Sequence, residues 1–280
     1  MAELSRAARR QRAPIAVPRS EEAPAALVRL VDEEGSRLLA YLRRSCGDGS
    51  DAEDVAQEAF VQATRAWRQL ERVENARAWL YTIARHACQR MHRRRAGEPR
   101  HLQSLESLAE LAPRPGPSVP ELPDESADPL ATSLRAEARE LVERAIGELP
   151  QRFRQTLVLA DLAELTTAEI ASVLGIKEAT VKTRLHRARL KLRQVLAAGL
   201  PQRPAPPATH SRRVCLDLLH AKLEAMDRRV PFAFSDAALC ARCRSLLGTL
   251  DLAGAACLTL SREQLTPELR RRILAAVAAG

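Results

Sequence analysis

The chain has 280 residues, which is enough for two or three compact units at about 150 residues per domain. Lys and Arg outnumber Asp and Glu by 44 to 35, and the net charge of +9 favours a polyanionic partner. Aromatic residues make up only 3% of the chain, so sheet-rich folds are poor candidates and an all-α fold is predicted. No apolar run approaches the roughly 18 residues that cross a bilayer. Pro14 and Pro18 interrupt any secretory signal, so we expect a cytoplasmic protein with no membrane partner.

Proline placement divides the chain into segments. Six of the 17 prolines lie from Pro113 to Pro129 in an acidic stretch, which predicts a flexible linker, and four more between Pro201 and Pro207 predict a hinge. The predicted organisation is a disordered basic tail (1–21), a helical domain (22–96), the flexible linker (97–130), a second helical domain (131–200), the hinge (201–209) and a small Cys-containing helical domain (210–280).

The first helical domain carries two chemically distinct motifs. Residues 51–60 place acids and an amide along one face of a predicted helix, which can meet a basic protein surface or simply be solvated. Further on, Trp79 and Tyr81 precede a cluster of arginines. Rings beside guanidinium groups suit stacking on unpaired bases and contact with phosphates, although both aromatic residues would also suit a core.

The second helical domain predicts a helix-turn-helix. Thr166 and Glu169 form a capping box at a helix start, and Gly175 can end that helix in a left-handed conformation. Ala171 supplies the small residue where two helices cross, and Val181 supplies the branched apolar residue between them. The spacing of these residues is typical of a helix-turn-helix.

A second helix is predicted from Glu178 to beyond Leu192, and the segment from Lys177 to Arg193 has seven basic residues and Glu178 as its one acid. An isolated basic helix face is usually only solvated, but beside a helix-turn-helix it indicates insertion into the major groove of DNA. The candidate base and phosphate contacts are Lys177, Thr180, Lys182, Thr183, Arg184 and Arg187.

Together these motifs resemble the bacterial sigma-70 family, and the compact two-domain extracytoplasmic-function (ECF) group fits best. The resemblance rests on Asp51 to Phe60, on Trp79 to Arg85, and on Leu149-Pro150 followed by the helix-turn-helix. It spans roughly residues 25–196 and implies a sigma factor that binds core RNA polymerase and promoter DNA. Asp54, Gln57 and Glu58 would then contact the polymerase.

The resemblance also implies that the first domain opens the promoter and holds its non-template strand. The implied DNA contacts there are Trp79, Tyr81, Arg85, His86, Arg90, Arg93 and Arg94. His86 stands where relatives commonly have Asn, which leaves the identity of a captured base open. The helix-turn-helix would read the element near position minus thirty-five.

The last 70 residues contain Cys215, Cys257 and a C-x-x-C pair, Cys240 and Cys243. This spacing lets two thiolates bind one tetrahedral metal. The pattern resembles the zinc-binding domain of anti-sigma factors, in which the position of Asp236 is usually His, so the fourth ligand is Asp236 or His220. A reversible dithiol and a metal-free helical bundle are the alternatives. A helix is predicted over Arg213 to Ala225, and an amphipathic one over Pro267 to Val277.

The remaining cysteines and the rival functions complete the predictions. Cys46 and Cys88 are expected as buried small hydrophobic residues rather than as a disulfide.

No catalytic constellation and no phosphate-binding glycine loop is visible, so the chain is predicted not to be an enzyme. The C-terminal domain is predicted to regulate the sigma domains in cis, with an intramolecular or a separate anti-sigma contact. The rival is an operator-binding helix-turn-helix regulator with a sensory C-terminal domain; a zinc-dependent nucleic-acid enzyme would need a His-x-Glu motif that the chain lacks.

Overall fold

The computed structural model describes residues 23–46, 49–67, 75–95, 118–120, 129–200, 202–204, 209–261 and 264–279. The predicted basic tail and most of the predicted linker lie outside these residues. The described helices are α1 (Ala23–Cys46), α2 (Gly49–Trp67), α3 (Ala76–Arg95), α4 (Pro129–Glu148), α5 (Gln151–Leu157), α6 (Thr167–Leu174), α7 (Glu178–Gly199), α8 (Arg212–Arg228), α9 (Ala241–Leu260) and α10 (Pro267–Ala279). The predicted helical fold class is confirmed.

Two three-residue strands are the exception to the helical fold. Strand β1 (Ser118–Pro120) pairs antiparallel with strand β2 (Gln202–Pro204), and Val119 lies opposite Arg203. This pairing joins a piece of the predicted linker to a piece of the predicted hinge, which the sequence did not indicate.

Helices α1, α2 and α3 pack on one another as a first bundle. Leu38, Tyr41, Phe60 and Leu80 are fully buried between them, as expected for amphipathic helices that turn their apolar faces inward. The first bundle also turns the acidic side of α2 outward.

Cys46 and Cys88 are both buried, as predicted, but they are also joined as a disulfide. The expectation that they would stay unpaired is wrong for this structure. The end of α1 meets the middle of α3 with the two Cα atoms 5.5 Å apart, a distance that suits a disulfide. The 42 residues that separate the two cysteines in sequence hide this proximity.

Helices α4 to α7 form a second bundle that contains the predicted helix-turn-helix. The hydroxyl of Thr166 accepts from the amide of Glu169 at 3.2 Å, and the Glu169 carboxylate accepts from the amide of Thr166 at 2.7 Å. Gly175 ends α6 with a φ of 65°, and Val181 is fully buried. These local signals confirm the predicted helix-turn-helix and its turn.

Helices α8, α9 and α10 follow β2, and we call residues 209–279 the C-terminal module. Helix α8 and the start of α9 share a small apolar cluster that includes Leu223, Met226 and Leu250. The far half of α9 instead joins the main core through Cys257 and Leu260, and α9 packs against α4 and α7.

Helix α9 also has the length and apolar composition of a membrane-crossing segment, and it is the one helix among the described residues that does. However, 56% of its apolar window is buried inside the protein. That burial is the environment of a core helix.

The last helix, α10, leaves its own module and packs on α1 and α2 of the first bundle. Leu269, Ile273 and Val277 recur at helical spacing and are buried there. Just before α10, the side chain of Leu265 lies against Gly35 of α1, where a Cβ would come within 2.5 Å of its Cδ1 atom. The predicted amphipathic helix is therefore present, and its apolar face covers the first bundle.

Candidate functional site

The N-terminal half of α7 keeps most of its predicted DNA-contacting residues at the surface. Lys177 precedes the helix as its N-cap and is exposed, as are Thr180, Thr183 and Arg187. Lys182 is half-buried and lies 3.6 Å from the Glu178 carboxylate. The remaining predicted residue, Arg184, is half-buried. These side chains form the basic surface of α7 and its N-cap, and four of the six are exposed.

The end of α8 lies against this basic surface. Asp227 accepts a hydrogen bond from His186 at 3.0 Å and forms an ion pair with Arg189, whose guanidinium also binds Asp161 at 2.8 Å. Burial alone would raise the pKa of Asp227, but the hydrogen bond from His186 and the charge of Arg189 outweigh it and hold the pKa below its ordinary value. Asp227 therefore ties the C-terminal module to α7 as a carboxylate.

Arg229 extends this contact to the start of the helix-turn-helix. Its guanidinium donates to the carbonyl oxygens of Ala160 at 3.1 Å and Leu165 at 2.9 Å. Arg229 ends α8 in the left-handed region with a φ of 53°. Between this end and α7 lies a small cleft whose lining includes Lys182 and Glu224. The end of α8 therefore lies beside Lys182, one of the predicted DNA contacts.

The two aromatic residues of α3 have structural partners. Trp79 is half-buried and meets Trp67 edge to face, with ring centroids 5.6 Å apart. Tyr81 is fully buried, meets Tyr41 in the same manner at 5.7 Å, and donates its hydroxyl to Glu34 at 3.4 Å. The ring of Tyr81 has no accessible surface in this arrangement, and its predicted contact with DNA stays a prediction.

The arginines of α3 contact protein in this arrangement. Arg85 donates to the carbonyl oxygen of Val173 in α6 at 3.3 Å, and Arg90 donates to Gln62 at 2.7 Å. His86 is exposed. The predicted residues Arg93 and Arg94 belong to α3, but their side chains lie outside the described part of the structure.

Further polar contacts hold the first bundle against the second. Asn75 donates to the capping carboxylate of Glu169 at 2.7 Å, and Arg37 forms an ion pair with Glu164 at 3.1 Å. Arg77 is buried, pairs with Glu34 at 3.2 Å and donates to the carbonyl oxygen of Ala163. The two bundles also share one apolar core. They are therefore docked on each other.

The acidic surface of α2 is occupied as well. Asp54 and Glu58 are exposed and Gln57 is half-buried, as expected for a binding surface. Arg272 of α10 donates to Gln57 at 2.7 Å and lies 3.4 Å from Asp54. Two residues earlier, Arg270 binds Asp32 of α1 at 2.7 Å. The arginines of the last helix therefore meet the same residues that the sequence predicts as polymerase contacts.

The cysteine cluster has a different composition from the predicted one. Donor atoms of His210, Cys240 and Cys243 all lie within 4.8 Å of one another, and the Sγ atom of Cys215 lies 3.3 Å from that of Cys243. The side chain of the predicted ligand Asp236 lies outside the described part. The alternative ligand, His220, is exposed and does not belong to this group.

His210 and Asp227 are the functional residues that sequence reasoning missed. His210 stands just before the first turn of α8, and its proximity to Cys215 in the sequence was the available signal. Asp227 is an acid next to two arginines at a helix end. This local pattern does not predict its hydrogen bond with His186, which lies 41 residues away in the sequence.

Comparison with known proteins gives two family matches and several relatives. The model of Sigma-70 region 2 matches residues 30–98, and that of Sigma-70, region 4 matches residues 139–192. The ECF RNA polymerase sigma factor SigL of Mycobacterium tuberculosis is 34% identical over 179 residues, which cover 62% of this chain and 91% of SigL. SigW of Bacillus subtilis, also an ECF sigma factor, is 30% identical over 60% of this chain and 87% of SigW.

Among solved structures, the complex of CnrH with the cytosolic domain of CnrY is similar at 24% identity. The match covers 61% of this chain and 90% of that chain, with a TM-score of 0.40. Both family matches end before the C-terminal module.

Proposed function

The chain belongs to the ECF group of the sigma-70 family, and on this premise we propose that its C-terminal module restrains the two sigma domains in cis. The first bundle is the region 2 domain and the second bundle is the region 4 domain. In this proposal the chain serves core RNA polymerase as a specificity subunit in the cytoplasm and has no enzymatic activity. The sigma domains need no cofactor, and the metal or thiol state of the C-terminal module modulates them.

Two surfaces carry the sigma activity in this proposal. Asp54, Gln57 and Glu58 of α2 contact the polymerase, because their exposed acidic and amide groups suit a basic protein surface. Lys177, Thr180 and the neighbouring exposed side chains of α7 contact the promoter near minus thirty-five, where the N-terminal half of a recognition helix can enter the major groove.

The proposed restraint in cis rests on one observation, the position of α10 on the first bundle. Arg272 binds Gln57 and Asp54, and Ile273 beside it is fully buried against the first bundle. A polymerase surface and α10 cannot both contact the side chains of Gln57 and Asp54 at the same time. The module therefore competes with core polymerase for the region 2 domain.

The region 4 domain is restrained by a second contact. Asp227 neutralises part of the basic character of α7 through His186 and Arg189, and a major groove cannot occupy the volume of the α8 end. In addition, α3 docks on α6, and Arg85 of α3 donates a hydrogen bond to the carbonyl oxygen of Val173 in α6. Two promoter elements that lie apart along the DNA require the two sigma domains to separate, so the docked arrangement corresponds to an inactive state.

The small energies of the ion pairs of α10 favour reversible competition between α10 and polymerase over permanent inhibition. The ion pairs of α10 are exposed, with side-chain exposures of 46% for Arg272 and 75% for Asp54, and such pairs contribute about 1 kcal/mol or less. A specific protein interface buries on the order of 1,600 Å² in total. Polymerase can therefore displace α10 once both partners are present.

The test measures binding to core RNA polymerase that lacks its own sigma subunit, with the labelled full chain and fluorescence anisotropy as the readout. We expect the wild-type chain to bind, and the Arg270→Glu/Arg272→Glu variant to bind several-fold more tightly because it repels the acids of α1 and α2. Asp54→Lys should bind more weakly. Arg271→Glu, an exposed neighbour on the same helix, is the matched control and should bind like the wild type.

Two outcomes would contradict the proposal. If no variant binds core polymerase while the chain binds a DNA operator on its own, the rival helix-turn-helix regulator is correct. If the chain binds polymerase but the double variant and its control bind equally, the sigma function stands and the restraint by α10 does not.

A further inference from the structure

Three elements bring four metal-binding side chains together in the C-terminal module. His210 lies immediately before α8, Cys215 lies in the first turn of α8, and Cys240 and Cys243 lie at the start of α9. Cys240 is the N-cap of α9, where its sulfur accepts from the amide of Cys243 at 3.4 Å. Cys240 and Cys243 are buried, and Cys215 and His210 are half-buried. Donors from separate elements converge on one enclosed point.

We propose that His210, Cys215, Cys240 and Cys243 form one tetrahedral metal site, with His210 as the fourth ligand in place of Asp236. Metal–sulfur bonds of about 2.3 Å in a tetrahedral site require sulfur atoms about 3.8 Å apart. The sulfur atoms of Cys215 and Cys243 lie 3.3 Å apart, and the His210, Cys240 and Cys243 donors lie within 4.8 Å of one another. Cys215 joins the group through Cys243, and a small shift of the first turn of α8 would bring its sulfur to the same ion.

The ring of His210 supports its inclusion. Its Nδ1 atom is buried and has no hydrogen-bond partner among the described residues. A buried polar nitrogen without a partner costs free energy, which ligation at the ring would offset.

The donor set defines the class of ion. Three thiolates and one imidazole favour a thiophilic ion with tetrahedral preference, and zinc is the divalent ion that fits both conditions. Magnesium and calcium prefer oxygen ligands and higher coordination numbers, so they do not suit this site.

The metal would hold α8 against α9, which also meet through one small apolar cluster and the Lys222–Asp251 ion pair. Small modules with limited cores commonly depend on such a metal for their fold. Asp227 lies 12 residues along α8 from Cys215, about 18 Å at the helical rise. Loading of the site would thus orient the end of α8 that contacts α7, a step that rests on the proposed function.

The test uses the reduced, metal-free full chain and anaerobic titration with Co²⁺, which reports ligand type by absorption. We expect one equivalent to bind, with the visible bands of a tetrahedral site and a thiolate charge-transfer band, and Zn²⁺ to displace it. His210→Ala should weaken binding at least about tenfold and shift the visible bands, because water replaces the ring. His210→Cys should restore tight binding and strengthen the charge-transfer band.

Asp236→Asn and His220→Ala are the matched controls and should bind Co²⁺ like the wild type. The proposal is overturned if the reduced chain binds no Co²⁺, or if Asp236→Asn weakens binding while His210→Ala does not. If the reduced chain binds no Co²⁺ but forms a Cys215–Cys243 disulfide when an oxidant is then added, the dithiol alternative is favoured. Polymerase is absent from this assay, so failure of the metal-site proposal is distinguishable from failure of the proposed sigma function.

Discussion

The C-terminal module contacts the two sigma domains in two physically different ways. On the region 4 domain, Asp227 is 4% exposed and shares the buried guanidinium of Arg189 with Asp161. On the region 2 domain, α10 rests on an apolar stripe whose flanking pairs, Arg270–Asp32 and Arg272–Asp54, are open to solvent. One contact is a buried charge network and the other is a helix held mainly by its apolar face.

The difference indicates the order in which the contacts break. Removing Asp227 from this buried network leaves hydrogen-bonding groups of Arg189 and His186 without a partner and costs a few kcal/mol, whereas exposed pairs contribute little. We therefore expect α10 to leave the region 2 domain before α8 leaves the region 4 domain. Polymerase binding and promoter reading would then be released in that sequence.

The largest expected effect comes from the buried network. Asp227→Ala should lower the free energy of unfolding by about 3 kcal/mol, because Arg189 and His186 each lose a hydrogen bond at a buried site, while Asp161 still balances the charge of Arg189. Urea denaturation followed by circular dichroism measures the change. Asp217→Ala, at an exposed position of the same helix, is the control, and a similar small loss in both variants would remove the contrast between the two contacts.

A smaller effect is expected on the apolar side of α10. Ile273→Ala should weaken helix docking by about 2 kcal/mol, the lower end for a buried aliphatic residue, because α10 lies at the edge of the protein. Hydrogen exchange should rise in α10 and stay unchanged in α8 and α9. Arg271→Ala should change neither region. Faster exchange throughout the module would mean that the two contacts break as one unit.

The next largest effect is expected in the pH dependence of the folding stability, which should differ between the two contacts. Because the pKa of Asp227 is held below its ordinary value in the folded chain, its stabilising contribution is present above the unfolded pKa of about 4 and is lost as pH falls through the folded pKa. Urea midpoints between pH 7 and pH 3 should therefore decline more steeply in the wild type than in Asp227→Asn. Parallel declines would show that Asp227 does not contribute.

The smallest effect belongs to the exposed pair. A double-mutant cycle with Arg272→Ala and Asp54→Ala should give a coupling free energy of at most about 1 kcal/mol that falls as salt rises. Exchange rates of α10 amides at low and high ionic strength supply the measurement. A coupling well above this value and insensitive to salt would mean that the pair is desolvated and that α10 is not the weaker contact.

The helix-turn-helix was predictable because its signals are local. Thr166, Glu169 and Gly175 each act on backbone groups within a few residues, so the chain encodes this turn without reference to other elements. The sigma-family motifs of the first domain were recognisable for a similar reason, as they are continuous runs of sequence.

Contacts between distant segments were not predictable in the same way. Tyr81 stands in a run that resembles a DNA-binding motif, yet its burial depends on Tyr41 and Glu34 of another helix. The inclusion of His210 in the cysteine cluster depends on how α8 and α9 pack. An amphipathic pattern predicted the helix α10, but the pattern alone does not name the surface that the helix covers.

The short connection between α7 and the C-terminal module has a kinetic consequence. About ten residues separate Leu200 from His210, and they reach roughly 35 Å when fully extended. If the C-terminal module restrains the sigma domains as proposed, a module attached this closely stays at an effective concentration on the order of millimolar, and dilution or synthesis rate does not change it. The ratio of module to sigma domains would then be one to one in every molecule, and a signal would have to alter the affinity of the two parts, since it could not alter their proportions.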